Sequence, residues 1–276
     1  MTLPPGVQPL SAWPLEARRN LVGLFTDIDD TLTTHGDITP DALQAMWGLK
    51  EAGLYVIAIT GRPIGWCELA AKGDPLNDVP PWPVDAVVAE NGAVAWVGTR
   101  HRHKIYQQSA TTRIHNQRRM REIGERILRE VPGAEITRDS AGRETDLAID
   151  AAEFCQLTPD QIAQVVAIMQ SEGMHTTVSS IHIHGCFGLF NKWQGACWIA
   201  QELLGVSLPS DAARWAFTGD SGNDVAMFEH LENSIGVANL LPIAHKLSHL
   251  PRYVTPSERG AGFVEVVAAI LLALQA

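Results

Sequence analysis

No stretch of this 276-residue sequence approaches the roughly 18 uninterrupted apolar residues of a membrane-spanning helix, which argues against a membrane partner. Cysteine is scarce. Cys67, Cys155, Cys186 and Cys197 stand far apart with no Cys-x-x-Cys pair, a pattern of reduced thiols in a cytoplasm and not of a disulfide framework or a zinc site. Basic residues are outnumbered, 21 Lys+Arg against 31 Asp+Glu, and the formal charge of -10 argues against nucleic acid, whose affinity comes mainly from lysine and arginine neutralising phosphates. The N-terminus carries Pro4, Pro5, Pro9 and Pro14 where a secretory signal would place a basic stretch and an apolar core, so residues 1–19 read as a flexible leader.

What is present is the composition of an ordinary globular chain, 46% apolar and 19% charged, long enough to bury about three-quarters of its unfolded surface. Residues 100–190 hold 11 basic and 11 acidic side chains, leaving 10 basic against 20 acidic elsewhere, a neutral insert in an acidic frame. Before the insert, short apolar runs at 21–25, 54–59 and 86–89 alternate with helical patterns from Pro40 to Gly53 and near Pro63. This βαβαβ rhythm predicts a doubly wound, Rossmann-like parallel sheet whose strand C-termini carry the site. Asn91-Gly92 marks a hairpin turn, after which the pattern changes. A long helix at 111–131, an alternating strand at 143–149, a helix at 159–171 and short strands within 174–190 read as an inserted α+β domain. The α/β rhythm returns with a helix to Leu204, a strand at 215–218, a helix from Asp224 and a strand near Ile235. The expected division is a core of residues 20–98 and 190–276 and an insert of residues 99–189, with hinges at 96–99 and 187–191 around Gly98 and Gly188.

Four polar constellations end or begin these elements. Asp27-Ile28-Asp29-Asp30-Thr31 follows the first strand; taken alone, a D-x-D turn is as well explained by a solvated loop. Thr60, Gly61 and Arg62 follow the second strand, where a hydroxyl and free amides before a helix can bind a phosphate oxygen. Lys192 opens the returning helix, and Gly219-Asp220-Ser221-Gly222-Asn223-Asp224 follows the strand at 215–218. The expected topology carries these carboxylates, the hydroxyl and the ammonium to one sheet edge, an arrangement that separate surface turns would not produce.

In this order the motifs resemble those of the haloacid dehalogenase-like phosphatase superfamily. The position of the insert, and Ala89-Glu90-Asn91-Gly92-Ala93, resemble its type IIB branch of sugar-phosphate phosphatases and phosphomannomutases with a larger α/β cap. The resemblance implies an aspartyl-phosphate enzyme with Asp27 as nucleophile and Asp29 as general acid and base, while Thr60 and Lys192 hold the phosphoryl group. It also implies Mg2+ bound by Asp27, Asp220 and the backbone carbonyl of Asp29, with Asp224 supporting that shell or pairing with Lys192, and Ser221 and Asn223 serving either the metal or the phosphate. A sugar phosphate or related small ester is the implied substrate, with Gly61, Arg62 and Asn91 beside it.

In the cap, residues 179–184 alternate, so Ser180, His182 and His184 share a strand face that could cover the site, or could simply be a partly buried surface. Arg143, Glu144 and Asp146 are further candidates, an arginine for a second anionic group and acids for sugar hydroxyls. A phosphomutase would use the same core motifs. A signalling receiver would not need the second carboxylate two residues on or a cap, and a D-x-D transferase would leave Thr60, Lys192 and the fourth motif unexplained.

Overall fold

A computed structural model describes residues 3–98, 101–179 and 181–275. The strand Gly23–Thr26 lies inside a nine-stranded sheet because it has no polar face: Leu24 packs into one apolar cluster and Phe25 into the cluster on the opposite side, and both are fully buried. Such a run suits a parallel strand covered on both faces. It pairs in parallel with Tyr55–Ile59 on one side and Trp215–Gly219 on the other. The sheet continues through Ala86–Ala89 in one direction and through Asn233–Gly236 and Tyr253–Val254 in the other, all parallel. Helices Pro40–Glu51 and Arg259–Gln275 cover the Leu24 face, burying Met46, Leu49 and Phe263. Helix Lys192–Leu204 covers the Phe25 face with Trp193, Ala196 and Ile199.

The chain reverses at Glu90–Gly92 into the antiparallel strand Val94–Val97, as the Asn-Gly turn predicts, and then into His103–Tyr106, which pairs with it. Residues 103–106 therefore extend the core sheet, although the sequence places them in the insert. The first expected hinge, 96–99, begins inside a strand, and Thr99 lies outside the described residues. The chain leaves the core sheet after Tyr106.

The cap is a four-stranded antiparallel sheet in the order His175–Val178, His182–Cys186, Asp146–Asp150, Glu135–Ile136. Pairing sets Ala148 opposite His184 and Asp150 opposite His182, so those residues share a face while Leu147, Ile149 and Ile183 share the other. The apolar face is buried against helices Ala110–Glu130 and Pro159–Ser171 through Ile123, Ile127, Val165 and Met169. The polar face is left for the core.

Two departures from the sequence reading have simple causes. The helix expected near Pro63 begins only at Cys67, because Arg62 and Ile64 are engaged by the site loops. The leader is not loose: Gln8–Pro9 adds an edge strand beside Tyr253–Val254, and Trp13 is 1% exposed with its indole donating to Asn233 Oδ1 at 2.9 Å. Proline is tolerated at a sheet edge, so the proline-rich composition that reads as a loop is compatible with pairing. All four cysteines are free thiols, and no helix among the described residues is long and apolar enough to cross a membrane.

Replacing Trp13 with alanine removes a large buried side chain and its hydrogen bond, and should lower the unfolding free energy by about 3–5 kcal/mol in urea titrations followed by circular dichroism. A change within ~0.5 kcal/mol, as at an ordinary surface position, would show the leader to be unpacked.

Candidate active site

The C-terminal edge of the parallel sheet gathers the four motifs. Asp27 leaves strand Gly23–Thr26 with its amide still bonded to Thr218 O at 2.9 Å, and Thr60 leaves the neighbouring strand bonded to Val88 O at 2.9 Å. Lys192 reaches them because helix Lys192–Leu204 approaches the turn at Gly92 without side chains between. A Cβ on Gly195 would lie 2.5 Å from Gly92 Cα, and Gly92 has φ +113°. Asn191 caps this helix, accepting from Gln194 N at 2.9 Å.

Lys192 is wholly buried, and its ammonium donates to Asp27 Oδ1 at 2.5 Å and Asp224 Oδ1 at 2.6 Å. Burial alone would depress its pKa, but Asp224 and Asp27 outweigh burial and hold it above the ordinary lysine value. The second oxygen of Asp224 accepts from the amides of Asp220 at 2.8 Å and Ser221 at 3.0 Å. Asp224 thus shapes the loop that presents Asp220. Ser221 Oγ donates to Asn223 Oδ1, and Asn223 Nδ2 donates to Asn91 Oδ1 at 3.1 Å, joining the fourth motif to the turn at the end of the third strand.

Asp27, Asp220 and Asp224 each offer an oxygen, all within 4.8 Å of one another. Burial, offset by Lys192 and reinforced by Asp224 and Asp29, pushes Asp27 up to about 7. Asp220 is driven well above the carboxylate range by burial and then by Asp27 and Asp224. Asp220 Oδ2 accepts from Asn239 Nδ2 at 2.8 Å, whereas its buried Oδ1 has no hydrogen-bond partner. An orphaned carboxylate oxygen among crowded acids fits a small hard cation with oxygen ligands, so the residues present fit Mg2+.

The remaining expected residues meet at the junction of core and cap. Buried Thr60 accepts the amide of Arg62 on its hydroxyl at 3.0 Å. Gly61 donates no side chain because the His184 ring stands 3.0 Å from where a Cβ would lie, and its carbonyl accepts from Arg143 Nη1 at 3.0 Å. Arg62 Nε bonds both oxygens of Asp29, at 3.0 and 3.1 Å. Arg143 is committed to Gly61, Asp146, Asp139 and Thr137, His184 to Asp146 at 3.0 Å, and His182 to Glu153 at 2.7 Å. Burial lowers the pKa of both histidines. Glu144 bonds Lys104 and Tyr106, away from Asp27. Ser180 lies outside the described residues.

Two acids not singled out by the sequence hold this junction. Glu90, fully buried with φ +51°, accepts from the amides of Ile64, Glu144 and Thr145 and from the Thr145 hydroxyl, clasping the start of a cap strand to the core. Burial, then Asp146, pushes it up to about 7. Glu153 receives Arg62 Nη2 at 3.1 Å. An acid ending an apolar strand is a signal for the first; the second is one acid in a loop and carries none. The cap is closed, with Gly65 N on Gly142 O at 3.0 Å, and the cavity over Asp27 has a volume of about 10 Å³. Beside it a cleft of about 310 Å³ opens, and Asp29 and Arg62 border both.

The structure is a parallel α/β core with an inserted α+β cap and a Lys-bridged acidic site at its strand ends, and known proteins share parts of this description. Residues 24–123 match the family model of haloacid dehalogenase-like hydrolases. The structure superposes on the sucrose-phosphatase from Synechocystis, solved with sucrose and phosphate, with TM-score 0.63 and 20% identity over 91% of this chain and 98% of that one. A subclass IIB sugar phosphatase of the superfamily gives TM-score 0.59 and 16% identity over 92% and 97%. A haloacid dehalogenase-like hydrolase from B. subtilis gives 0.62 and 13% over 89% and 98%. We found no significant match among curated protein sequences. The fold is shared with these haloacid dehalogenase-like structures over about nine-tenths of the chain, cap included.

Because protons and Mg2+ compete for Asp27 and Asp220, the rise in melting temperature produced by Mg2+ should grow from pH 5.5 to pH 8 and be lost in Asp220→Asn. At a hundredfold excess over Kd the increment corresponds to about 2.7 kcal/mol. Differential scanning calorimetry with and without Mg2+ measures it. The increment isolates the site, whereas absolute stability also carries His182 and His184, whose depressed pKa values act with opposite sign to a raised carboxylate.

Proposed function

We propose that this protein is a Mg2+-dependent phosphatase that hydrolyses a small phosphate monoester, a sugar phosphate or related phosphorylated metabolite, through an aspartyl-phosphate on Asp27. The observation that carries the reading is the Asp27 carboxylate itself, held by a buried lysine, adjacent to Asp220 and opening into a closed cavity that Asp29 also lines. A carboxylate nucleophile divides one difficult hydrolysis into two phosphoryl transfers.

In the first, Asp27 attacks phosphorus and the bond to the ester oxygen breaks, while the Asp29 carboxyl gives that oxygen its proton. The alcohol leaves. In the second, water attacks the phosphoryl group, Asp29 takes the proton from the water and the Asp27–phosphorus bond breaks, returning both carboxyls to their starting states. Thr60 and Lys192 hold the equatorial phosphoryl oxygens. Mg2+, held by Asp27, Asp220 and the Asp29 backbone carbonyl, would neutralise charge on the phosphoryl oxygens. Arg143, His182 and His184 hold cap acids in place and so form the roof, whose closure excludes water. A cavity of about 10 Å³ holds at most about one water, so the cap opens to admit the ester.

Inorganic phosphate release across a panel of sugar phosphates, glycerate phosphates and nucleotides should require Mg2+, stop with chelator, and fall by at least about 10³-fold in Asp27→Asn. Activity surviving in Asp27→Asn would refute the nucleophile; no release from any ester would refute the phosphatase.

A further inference from the structure

Asp29, which must aim one carboxyl oxygen first at the leaving group and then at water, makes its side-chain hydrogen bonds with Arg62, whose Nε donates to both carboxylate oxygens. Arg62 has four rotatable bonds of its own, so its aim depends on what holds the guanidinium. It lies over the Trp66 ring with 5.2 Å between guanidinium carbon and ring centroid, and it reaches Asp139 at 3.5 Å. Its close charged partner in the cap is Glu153, at 3.1 Å.

Glu153 is itself well anchored. Its other carboxylate oxygen is 2.7 Å from His182 Nε2. Its amide donates at 2.9 Å to Asp150, a residue 1% exposed at the end of a cap strand, which also receives the Phe154 amide. Contacts therefore run from the cap sheet through Glu153 and Arg62 to Asp29. The three last-named residues line the cleft beside the Asp27 cavity.

Resting on the phosphatase reading above, we propose that Glu153 is a positioning residue: by holding Arg62 it aims Asp29 at the leaving oxygen, and it does so only while the cap is closed. A misplacement of about 1 Å in a reacting group can cost on the order of 10²-fold in rate. Here that loss falls on esters whose leaving oxygen needs a proton.

The test compares kcat/KM for the best sugar phosphate of the panel, whose alkoxide must be protonated, with that for acetyl phosphate, whose acetate leaves without a proton. Since kcat/KM reports the steps up to phosphoryl transfer to Asp27, the later water activation, common to both, does not enter. In Glu153→Ala the sugar phosphate should lose on the order of 10²-fold relative to acetyl phosphate, and Glu153→Gln, which still accepts from Arg62, should recover part of it. In an Asp29→Asn background, Glu153→Ala should change the ratio no further. Equal losses for both esters, or a further fall in the Asp29→Asn background, would overturn the positioning role while leaving the phosphatase intact. A parent enzyme that releases phosphate from neither ester would overturn the reading beneath it.

Discussion

The site is organised around one buried ion pair network, the Lys192 ammonium between Asp27 and Asp224. Its Lys192–Asp27 pair is separated by 165 residues of sequence and joins the two segments of core that the cap interrupts. A lone ammonium could not be buried there, and breaking such a pair costs about 3–5 kcal/mol because the survivor remains uncompensated. Two carboxylates satisfy it, and Asp224 spends its second oxygen on the loop that presents Asp220. The same network leaves the site short of positive charge. Burial, and then the neighbouring carboxylates that one ammonium does not balance, push Asp27 and Asp220 toward protonation, and the surplus of acid fits a divalent cation.

The core was largely legible because burial on both faces of a parallel sheet leaves unbroken apolar runs, and Leu24-Phe25, Val56 to Ile59 and Ala86 to Ala89 are such runs. The same logic hid the periphery. His103–Tyr106 is an edge strand whose exposed and half-buried residues look like cap, and its membership depends on pairing with Val94–Val97. The packing of Trp13 against Tyr253 and Asn233 is a contact between chain ends that no local pattern encodes.

The chemical residues divide along the same line. Asp27, Thr60 and Asp220 could be placed together because each ends a strand of one sheet and parallel topology delivers strand ends to one edge. His182 and His184 were legible as members of a polar strand face and Arg143 as a candidate anion ligand, but their partners were not: they bind Asp139, Asp146 and Glu153. Glu90 and Glu153 owe their importance to tertiary neighbours across the domain junction, information that lies in the fold and not in their flanks.

Besides the bonds of Arg143 to the Gly61 carbonyl and of Gly65 N to Gly142 O, two charged contacts join cap and core in different surroundings. Glu90 lies wholly buried with four donors converging on it, so leaving it unpaired would carry the full desolvation penalty of a charged group. Arg62 and Glu153, with side chains 11% and 22% exposed, lie nearer solvent than Glu90, so water can replace a lost partner there in part. If the cap opens as the proposed function requires, the pair nearer solvent would be the cheaper contact to break and the Glu90 clasp the costlier. The same pair reaches Asp29 through Arg62, so the support of that carboxyl is tied to the contact between cap and core.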